Sequence, residues 1–360
     1  MAGYTVSVNR PRLTSLDVLR GLTILGMIVV NNQGDCSHVL PSLGHAHWHG
    51  ITVADLVFPF FLVIMGVSMA ISFAKRRPSL NKVLRRSVLL FSLGFFLNAF
   101  PHFDPAEVHI MGDLQRIALV YLATALLVLY VPKKAQLATG AALLVGYFGL
   151  MTLVPVPGHG AGVLTPDGNL AGFIDRALLG VKHVYGNGPY DPEGLLSTLP
   201  AVVTALIGFW AGDWVRHQRV STHVTKRLTT AGLALAAAGV AWAPLFPINK
   251  KLWTSSYVLF TGGCALVLLA LTYQLVEVHG FRRLGRPFEI LGLNAILVYM
   301  ASEELASVLD STHFKPWLYT SVLTPFAGEI WGSLLFSLAL AGVTWMLAGA
   351  LYRRRVFVKV

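Results

Sequence analysis

The sequence predicts an all-α integral membrane protein, a bundle of about ten transmembrane helices. Of its 360 residues, 55% are hydrophobic and only 12% are charged, whereas a soluble domain carries roughly 25% charged residues. Most apolar runs reach or approach the ~20 residues that span a bilayer core. They are too long and too evenly apolar for barrel strands, which alternate. Because backbone polar groups in lipid must bond within their own segment or a closed barrel, helices are the class that remains.

The predicted spans follow one another along the chain. They lie at about 16–33, 53–74, 84–101, 115–131, 135–154, 196–215, 228–246, 253–275, 288–307 and 327–351. The first run resembles a signal peptide, but the polar residues after it contain no small-residue cleavage pattern, so we predict an uncleaved helix. Residues 1–360 then form one transmembrane domain. Within it, 155–195 is a long extracytoplasmic loop with a short amphipathic helix at 169–180.

The net charge of +11 is distributed as an orientation signal. With the N-terminus inside the cell, every cytoplasmic segment is basic, and these segments hold all but six of the 28 Lys and Arg residues. The six on the other side are Arg116, Arg176, Lys182, Lys250, Lys251 and Lys315. Cytoplasmic loops carry an excess of Lys and Arg, so we predict that both chain ends are cytoplasmic. The composition therefore does not favour nucleic-acid binding.

Two spans contain polar groups. In the first, Asp17 and Arg20 lie three residues apart on one helix face. They form either an interfacial ion pair that anchors the helix or a contact to an anionic ligand at the cytoplasmic mouth. In the ninth, Gly292, Asn294 and Tyr299 interrupt the apolar run, and close packing of small residues accounts for them.

The loop after the first span concentrates four histidines, His38, His45, His47 and His49, within twelve residues. Imidazole, together with the thiolate of Cys36, suits zinc, but alternate residues of a His-x-His-x-His run do not converge easily on one ion. A plain polar loop is a second interpretation. The third is a general base, because imidazole accepts a proton near neutral pH.

Acidic residues stand at two membrane edges. Asp55 opens the second span, where an acid in the membrane is a functional candidate. Thr52, three residues earlier, also makes a helix-capping arrangement with it, and both interpretations can hold together. Asp191 and Glu193 precede the sixth span, where compensation of the helix dipole is the alternative to ligand binding.

Basic residues stand at two edges where they are unexpected. Arg116 lies at the positive end of a helix, so it needs an acidic partner or a ligand. Lys250 and Lys251 lie on the side that the charge rule leaves poor in bases. That placement suggests a local anion or a carboxylate partner.

Five motifs occur together and in order. They are Ser15–Gly21, His45-Ala46-x-Trp48-x-Gly50-x-Thr52-Val53-Ala54-Asp55-Leu56-Val57-Phe58-Pro59, Leu114-Gln115-Arg116, Asp191-Pro192-Glu193-Gly194 and Pro247-Ile248-Asn249-Lys250. From about residue 12 to the C-terminus the chain resembles the heparan-α-glucosaminide N-acetyltransferase family of transmembrane acyltransferases. The likeness is to bacterial members, sometimes described as N-acetylglucosamine-related transporters. The resemblance implies transfer of acetyl from cytoplasmic acetyl-CoA to an amino sugar of glucosamine type across the membrane.

The resemblance also implies residue roles. The family's histidine maps onto His45, and its asparagine maps onto Asn31 or the adjacent Asn32. We expect His45 to take a proton from the amine and one asparagine to donate to the oxyanion. A variant in which His45 or Cys36 carries the acetyl group stays open. The expected acceptor-binding residues are Trp48, Asp55, Gln115, Arg116, Asp191, Glu193, Asn249 and Lys250.

Acetyl-CoA is the expected co-substrate, and no metal is expected. Its phosphates would stay at the basic cytoplasmic face, near Arg20, Arg76, Arg282 or Arg283, because charged groups cross a membrane core only at high cost. The expected setting is the bacterial inner membrane, with a homodimer as the assembly and an amino sugar as the acceptor. The rival function is a permease for N-acetylglucosamine or related amino sugars, which the lack of a clear internal repeat weakens.

Overall fold

The computed structural model describes residues 13–358, and over this range the chain forms fourteen α-helices joined by loops. They are α1 (Thr14–Asn31), α2 (Ala54–Lys75), α3 (Leu80–Ala99), α4 (Asp113–Tyr130), α5 (Lys133–Leu153), α6 (Leu170–Leu179), α7 (Thr198–Val215), α8 (Thr222–Trp242), α9 (Ser255–Tyr273), α10 (Arg282–Leu293), α11 (Ala295–Ser311), α12 (Phe314–Leu318), α13 (Thr324–Ala327) and α14 (Glu329–Arg353). A π-helical segment, Gln274–Val278, extends α9. Of the bases in the predicted charge pattern, Arg10, Arg12 and Lys359 lie outside the described residues.

Nine of the ten predicted spans coincide with single long helices, whose ends differ from the predicted ones by at most six residues, and the span predicted at 288–307 falls on α10 and α11. Within residues 13–358, seven helices are long and apolar enough to cross a membrane, and eight spans result if the bent pair α10–α11 counts as one. The two other long helices, α3 and α8, carry basic residues in their first two turns, which lowers their mean hydropathy. The class of helical membrane protein is confirmed. The number of ten spans and the orientation of the chain ends stay predictions.

The helix predicted over 288–307 is broken. α10 and α11 meet at an angle of 72°, and Asn294 between them has a non-helical backbone with φ −123° and ψ 37°. Its side-chain nitrogen donates to Val356 O at 3.1 Å, and its side-chain oxygen accepts from Val358 N at 2.8 Å. An asparagine side chain that bonds backbone groups competes with the helical ladder. Packing of small residues alone therefore does not account for this segment.

Close packing of small residues is found at Gly292, where an added Cβ would lie 2.0 Å from Asp17 O, and also between α2 and α7. A Cβ added to Gly208 of α7 would lie 2.0 Å from Val63 O, and one added to Gly66 of α2 would lie 2.0 Å from Ala205 O. Neither position has room for a side chain, so the two helices pack with their backbones in contact. Their buried side chains belong to one core that also includes α1, α4 and α9.

Loops from separate parts of the chain meet at one end of the bundle, which we call the loop end. Gly50 N donates to Ile248 O at 2.8 Å, and Ile110 N donates to His183 O at 3.1 Å. The first bond joins the loops that follow α1 and α8, and the second joins the loops that follow α3 and α6. The opposite end, where α1 begins and α14 ends, is called the basic end.

The segment 154–197 covers the loop end as a packed cap. Its only α-helix within the described chain, α6, has Asn169 as its N-cap, and the Asn169 Oδ1 atom accepts from Gly172 N at 2.7 Å. The amphipathic helix predicted at 169–180 is thus confirmed. Apolar side chains of this segment, Val156 and Leu170, pack in a second cluster with residues of α5 and of the loop after α8.

Candidate active site

A cavity of about 470 Å³ lies at the loop end between α1, α2, α4 and α11, and we call it the loop-end cavity. Its polar lining includes Asn31, His45, Asp113, Glu193, Lys250 and Glu303. These six side chains come from helices and loops that are far apart in sequence. The cavity therefore exists only once the bundle and its loops have assembled.

Asp55 holds His45 against the N-terminal end of α2. The His45 Nδ1 atom lies 2.8 Å from Asp55 Oδ1. The other carboxylate oxygen, Oδ2, accepts from Ala46 N at 3.1 Å, Thr52 N at 3.0 Å and Thr52 Oγ1 at 3.1 Å. Asp55 is 1% exposed, so these donors replace the water that a buried carboxylate loses. Both sequence interpretations of Asp55, as helix cap and as functional acid, fit this geometry.

This contact assigns the roles of the two nitrogens of His45. A carboxylate only accepts, so the neutral imidazole carries its proton on Nδ1 and has a lone pair on Nε2. Lys250 Nζ lies 3.3 Å from Nε2. His45 is 38% exposed at its side chain and lines the cavity. An imidazole whose Nε2 lone pair lies within hydrogen-bond distance of the Lys250 ammonium thus stands at the wall of the cavity.

The two asparagines at the end of α1 are placed differently. Asn31 lines the loop-end cavity, and its Nδ2 atom is 3.5 Å from Glu303 Oε1. Asn32 is 3% exposed, and its Nδ2 atom donates to Ile28 O and to Glu303 Oε1, both at 3.2 Å. Both amide hydrogens of Asn32 are used within the protein. Asn31 is the one that faces the same space as His45.

Aromatic rings form a rim beside the cavity. Trp48 and Tyr190 make an edge-to-face contact with ring centroids 4.8 Å apart, and Trp48 Nε1 donates to Leu164 O at 2.7 Å. Lys251 Nζ lies 5.9 Å from the Trp48 ring and 5.7 Å from the Tyr190 ring. Rings of this kind stack on the apolar faces of sugars, and the lysine extends the charged edge of the site.

Arg116 lies behind the site and is fully buried. Its Nη2 atom donates to Gly194 O at 3.1 Å and to Ser197 Oγ, and its guanidinium lies 4.8 Å from the Trp253 ring. Within the described residues Arg116 forms no ion pair, and its Nε and Nη1 atoms are buried without a hydrogen-bond partner. The acids that act on its charge are Glu193, Asp191 and Asp175. Arg116 thus ties the loop before α7 to α4.

Asp191 and Asn249 connect their loops to other loops at the same end of the bundle. Asp191 Oδ2 lies 2.7 Å from His109 Nε2. Asn249 is fully buried; its Oδ1 accepts from Leu252 N at 2.9 Å, and its Nδ2 lies 3.3 Å from His49 Nδ1. Burial lowers the pKa of His49, in keeping with a neutral ring that accepts at Nδ1. These residues shape the loops that carry Glu193 and Lys250.

Two acids of the cap lie in surroundings that favour their neutral forms. Burial, with the charge of Asp113, raises the pKa of Glu193 to about 7. Burial also raises the pKa of Asp175, in α6, to about 7. Asp175 Oδ1 accepts from Leu195 N at 2.8 Å, while Oδ2 is buried with no hydrogen-bond partner among the described residues. The charge at this end therefore changes near neutral pH.

A second cavity, of about 310 Å³, lies toward the basic end between α1, α2, α3 and α10, and we call it the basic-end cavity. Arg20 and Arg86 line it together with apolar side chains. Arg20 pairs with Asp17 at 2.9 Å and donates to Ser68 Oγ at 2.7 Å, so the predicted ion pair is confirmed. Phe61 lines this cavity and Phe58 lines the loop-end cavity. The two cavities thus approach within about one helical turn, ~5 Å, along α2.

The other predicted cofactor-binding bases are elsewhere. Arg76, Arg282 and Arg283 are exposed at the basic end and do not line the basic-end cavity. Gln115 lies in the wall of a different cavity, next to α11. Within residues 13–358, no group of three or more His, Cys, Asp or Glu residues is arranged to hold a metal ion.

Glu303, Asp113 and Arg86 line these cavities but were not predicted as site residues. Glu303 is an acid inside a predicted span, which is itself a signal of function. Asp113 stands directly before the Leu114–Arg116 motif. Arg86 is one of several bases near the start of α3, and its sequence position does not distinguish it from its exposed neighbours.

The fold and this site define the class: a polytopic helical membrane protein with a His–Asp pair facing a polar cavity at one end. The family model described as heparan-alpha-glucosaminide N-acetyltransferase, catalytic, matches residues 12–242. The chain therefore belongs to the heparan-α-glucosaminide N-acetyltransferase family, as its motifs predicted.

Two curated relatives support this assignment. Over 100% of its length the chain is 30% identical to heparan-alpha-glucosaminide N-acetyltransferase of Homo sapiens, and covers 61% of that protein. Over 82% of its length it is 31% identical to the protein of the same name from Mus musculus, and covers 54% of it. The chain thus spans between about half and three fifths of the length of these relatives.

Proposed function

We propose that the protein is a transmembrane acetyltransferase, which moves acetyl from acetyl-CoA to the amine of a glucosamine-type amino sugar at the loop end. The observation that carries the proposal is the pair of His45 and buried Asp55, 2.8 Å apart at the wall of the loop-end cavity. The names of the relatives supply the reaction type. The polar, partly acidic cavity supplies a place for an amine.

In this reaction His45 is the general base. Asp55 holds the ring so that Nε2 faces the cavity, where it takes a proton from the amine nitrogen as that nitrogen attacks the thioester carbonyl. The C–N bond forms, the C–S bond breaks, and the imidazolium returns the proton to the departing thiolate. A positioned base of this kind contributes typically about 10²–10⁴-fold to the rate.

Negative charge develops on the carbonyl oxygen in the transition state. Asn31 is the proposed donor to this oxyanion, because it lines the cavity and its amide is not consumed by strong bonds within the protein. Lys250, 3.3 Å from His45 Nε2, adds a positive charge beside the reacting atoms. Preorganised donors of this type stabilise the transition state more than the ground state.

The acceptor sugar would lie against the aromatic rim. Trp48 and Tyr190 offer faces for a sugar ring, and Glu193, in the cavity wall, offers a carboxyl group to its amine or hydroxyls. Arg116, Asp191 and Asn249 act from behind by holding the loops that carry these groups. In this proposal they position the site rather than contact the sugar.

The donor would enter from the basic end. Arg20 and Arg86, at the basic-end cavity, would hold phosphate groups, and the long uncharged arm of acetyl-CoA would lie along α2 toward the loop-end cavity. This arrangement keeps the phosphates out of the membrane core, where charge is costly. The proposal also includes cytoplasmic chain ends, an acceptor on the outer side of the bacterial inner membrane, and assembly as a homodimer.

The direct test is release of free CoA thiol by purified protein supplied with acetyl-CoA and glucosamine. We expect thiol release that depends on both substrates, together with N-acetylglucosamine as the product. If no amine supports CoA release, and proteoliposomes instead take up the sugar, the protein is a permease and the proposal fails. Acetyl retained on protein denatured after treatment with acetyl-CoA alone would identify the covalent variant through His45 or Cys36.

A further inference from the structure

A third cavity, of about 230 Å³, lies beside the loop-end cavity between α3, α4 and α11, and we call it the side cavity. Glu303 and Asp113 line both of these cavities. Their carboxyl groups therefore stand in the wall between the proposed reaction site and a separate polar space. The Glu303 oxygen Oε1 accepts from Asn32 at 3.2 Å, and Asp113 Oδ2 accepts from Tyr299 OH at 2.9 Å.

The side cavity contains polar atoms that no group in the described chain satisfies. Gln115 is fully buried, and its Oε1 atom has no hydrogen-bond partner within residues 13–358, although its Nε2 atom donates to Ile110 O at 3.1 Å. One carboxylate oxygen of Glu304, Oε1, is in the same state. Buried polar groups are normally paired with protein or water. Their position in the wall of a polar cavity fits a space that holds water.

The side cavity continues toward the protein surface. It shares Asn98 and Phe100 with a fourth cavity, of about 360 Å³, which is lined by the loop after α3. That loop carries Asp104 and Glu107, which are exposed. Polar spaces thus follow one another from the proposed reaction site to the solvent at the loop end.

The proposed reaction needs such a route, on the chemistry of its acceptor. An amine of pKa about 8, as for an α-amino group, is mostly an ammonium ion at neutral pH. An ammonium nitrogen has no lone pair and cannot attack a thioester. It must first lose one proton, and the neutral amine loses a second during the attack.

We propose that Glu303 and Asp113 form a proton exit, which takes the first proton from the acceptor ammonium and delivers it through the side cavity to solvent. This inference rests on the proposed function. The ammonium gives its proton to the carboxylate of Glu303, leaving a neutral amine and a carboxylic acid. Asp113 and water in the side cavity pass the proton outward, which restores the carboxylate.

The second proton follows the path already described, from nitrogen to His45 and then to the thiolate. The sum of the steps is ammonium plus acetyl-CoA giving amide, CoA thiol and one proton in solvent. Glu303 thus removes the proton that makes the acceptor inert, while His45 keeps the one that the leaving group needs. The two tasks fall on different residues because one acceptor of protons cannot hold both at once.

Several titratable groups face this pair and belong to the pH response. On the side-cavity side they are Tyr299 and Glu304. In the loop-end cavity they are Cys36, His45, Tyr185, Tyr190, Glu193, Lys250 and Lys251. Because these groups are unchanged in a variant of Glu303, a comparison of pH profiles isolates the contribution of Glu303.

The test compares wild type with Glu303→Gln, following N-acetylglucosamine formation at saturating acetyl-CoA from pH 6.5 to pH 9.5. Without the carboxylate only the neutral amine can react, and at pH 6.5 that is about one thirtieth of an amine with pKa about 8. We expect kcat/KM for glucosamine to fall roughly 30-fold relative to wild type at pH 6.5. The loss should shrink to less than about 3-fold at pH 9.5, where the amine is neutral.

Two further variants keep the result interpretable. Glu303→Asp retains a carboxylate and should keep the shape of the wild-type profile. Glu329→Gln removes an exposed acid at the same end and should change neither rate nor profile. A loss of kcat/KM in Glu303→Gln that is equal at every pH would overturn the proton exit alone. A pH-dependent loss in Glu303→Asp like the one expected for Glu303→Gln would do the same. No amide formation by wild type at any pH would overturn the proposed function and this inference with it.

Discussion

The position of His45 depends on a carboxylate that accepts four hydrogen bonds. Asp55 receives them from His45 itself, from two backbone N–H groups and from the Thr52 hydroxyl. A buried carboxylate with this many donors stays ionised and rigid. The loop 45–52 is thereby wrapped around one side chain, and the imidazole has a single orientation toward the cavity.

His45→Ala removes the proposed base. We expect kcat for acetyl transfer to glucosamine to fall by about 10²–10⁴, equivalent to about 3–5 kcal/mol of transition-state stabilisation. His47→Ala, two residues away, is the matched control: His47 is exposed, and the contact it offers, its carbonyl to Lys251, survives the substitution. Wild-type turnover by His45→Ala would exclude this histidine as the base.

Asn31 and Asn32 can be separated by their different surroundings. Asn31→Ala should lower kcat by roughly 10²–10³, the usual cost of losing one oxyanion donor, with little change in the thermal unfolding midpoint. Asn32→Ala removes a side chain that is 3% exposed and its 3.2 Å hydrogen bond to Glu303, so its larger effect should be on that midpoint. Measuring kcat and the midpoint for both variants decides the assignment, which is wrong if their effects are reversed.

Asp175 makes the stability of the cap depend on pH. Its pKa is raised in the folded state to about 7, so the folded protein binds this proton more tightly than the unfolded chain. The resulting stabilisation is complete below pH about 4 and is lost as the pH rises through about 7. We expect Asp175→Asn to raise the thermal unfolding midpoint at pH 8 relative to wild type.

At pH 4 the same substitution should give little or no gain, because Asp175 is then neutral in the folded state and most of the stabilisation from its bound proton is present. Asp167→Asn, which changes an exposed acid just before α6, serves as the control and should leave the midpoint unchanged at either pH. A gain for Asp175→Asn that is equal at pH 4 and pH 8 would show that its charge is not the cause.

The contact between α2 and α7 fixes the positions of two helices next to the loop-end cavity. α2 begins at the residue before Asp55, and α7 follows the loop that holds Glu193. Because the two helices touch through their backbones at Gly66 and Gly208, a shift of either one displaces residues of the loop-end cavity. Such contacts tolerate small residues only.

Gly208→Ala should therefore destabilise the protein by about 1–3 kcal/mol, the usual cost of overpacking. The expected readout is a lower thermal unfolding midpoint and a lower yield of monodisperse protein. Gly342→Ala in α14 is the matched control, since a Cβ there meets no atom within 4 Å, and it should have no such effect. Equal midpoints for the two variants would contradict the backbone contact.

The two ends of the helical bundle differ in the charged residues that they carry. The loop end gathers His45, Glu193 and Glu303 around one cavity, while the basic end carries Arg20 and Arg86 at another. The broken pair α10–α11 contributes to both cavities, since Gly292 lines the basic-end cavity and Glu303 lines the loop-end cavity. The bundle thus carries one cavity toward each of its two ends.

The proposed orientation can be read with cysteine labelling. In a Cys264→Ser background, Cys36 is the one remaining cysteine of the sequence, and it is exposed at the loop end. We expect a membrane-impermeant maleimide to label it on intact cells. In a second variant, Cys36→Ser, Cys264→Ser and Arg354→Cys, labelling should require permeabilised cells. The opposite pattern would invert the orientation.

Much of the helical framework is predictable because a membrane helix is recognised from the residues of its own segment. Apolar length and the placement of bases locate the helical segments, and the Asp55 and His45 motif can be recognised within a short loop. The bend at Asn294 was not predictable, because it depends on hydrogen bonds to Val356 and Val358, which lie about sixty residues further along the chain.

The class of fold, the family, and the histidine and asparagines to examine could all be predicted from the residues and their order. Which of these residues share a cavity could be read only from the folded chain: Asn31 rather than Asn32 lines the loop-end cavity, and Glu303 lies in the wall between two cavities. The tertiary structure also placed Arg116, fully buried, against Gly194 and Ser197. The physical reason is that a helix presents different faces to core, cavity and lipid, and the side that a polar residue occupies is fixed by packing against helices distant in sequence.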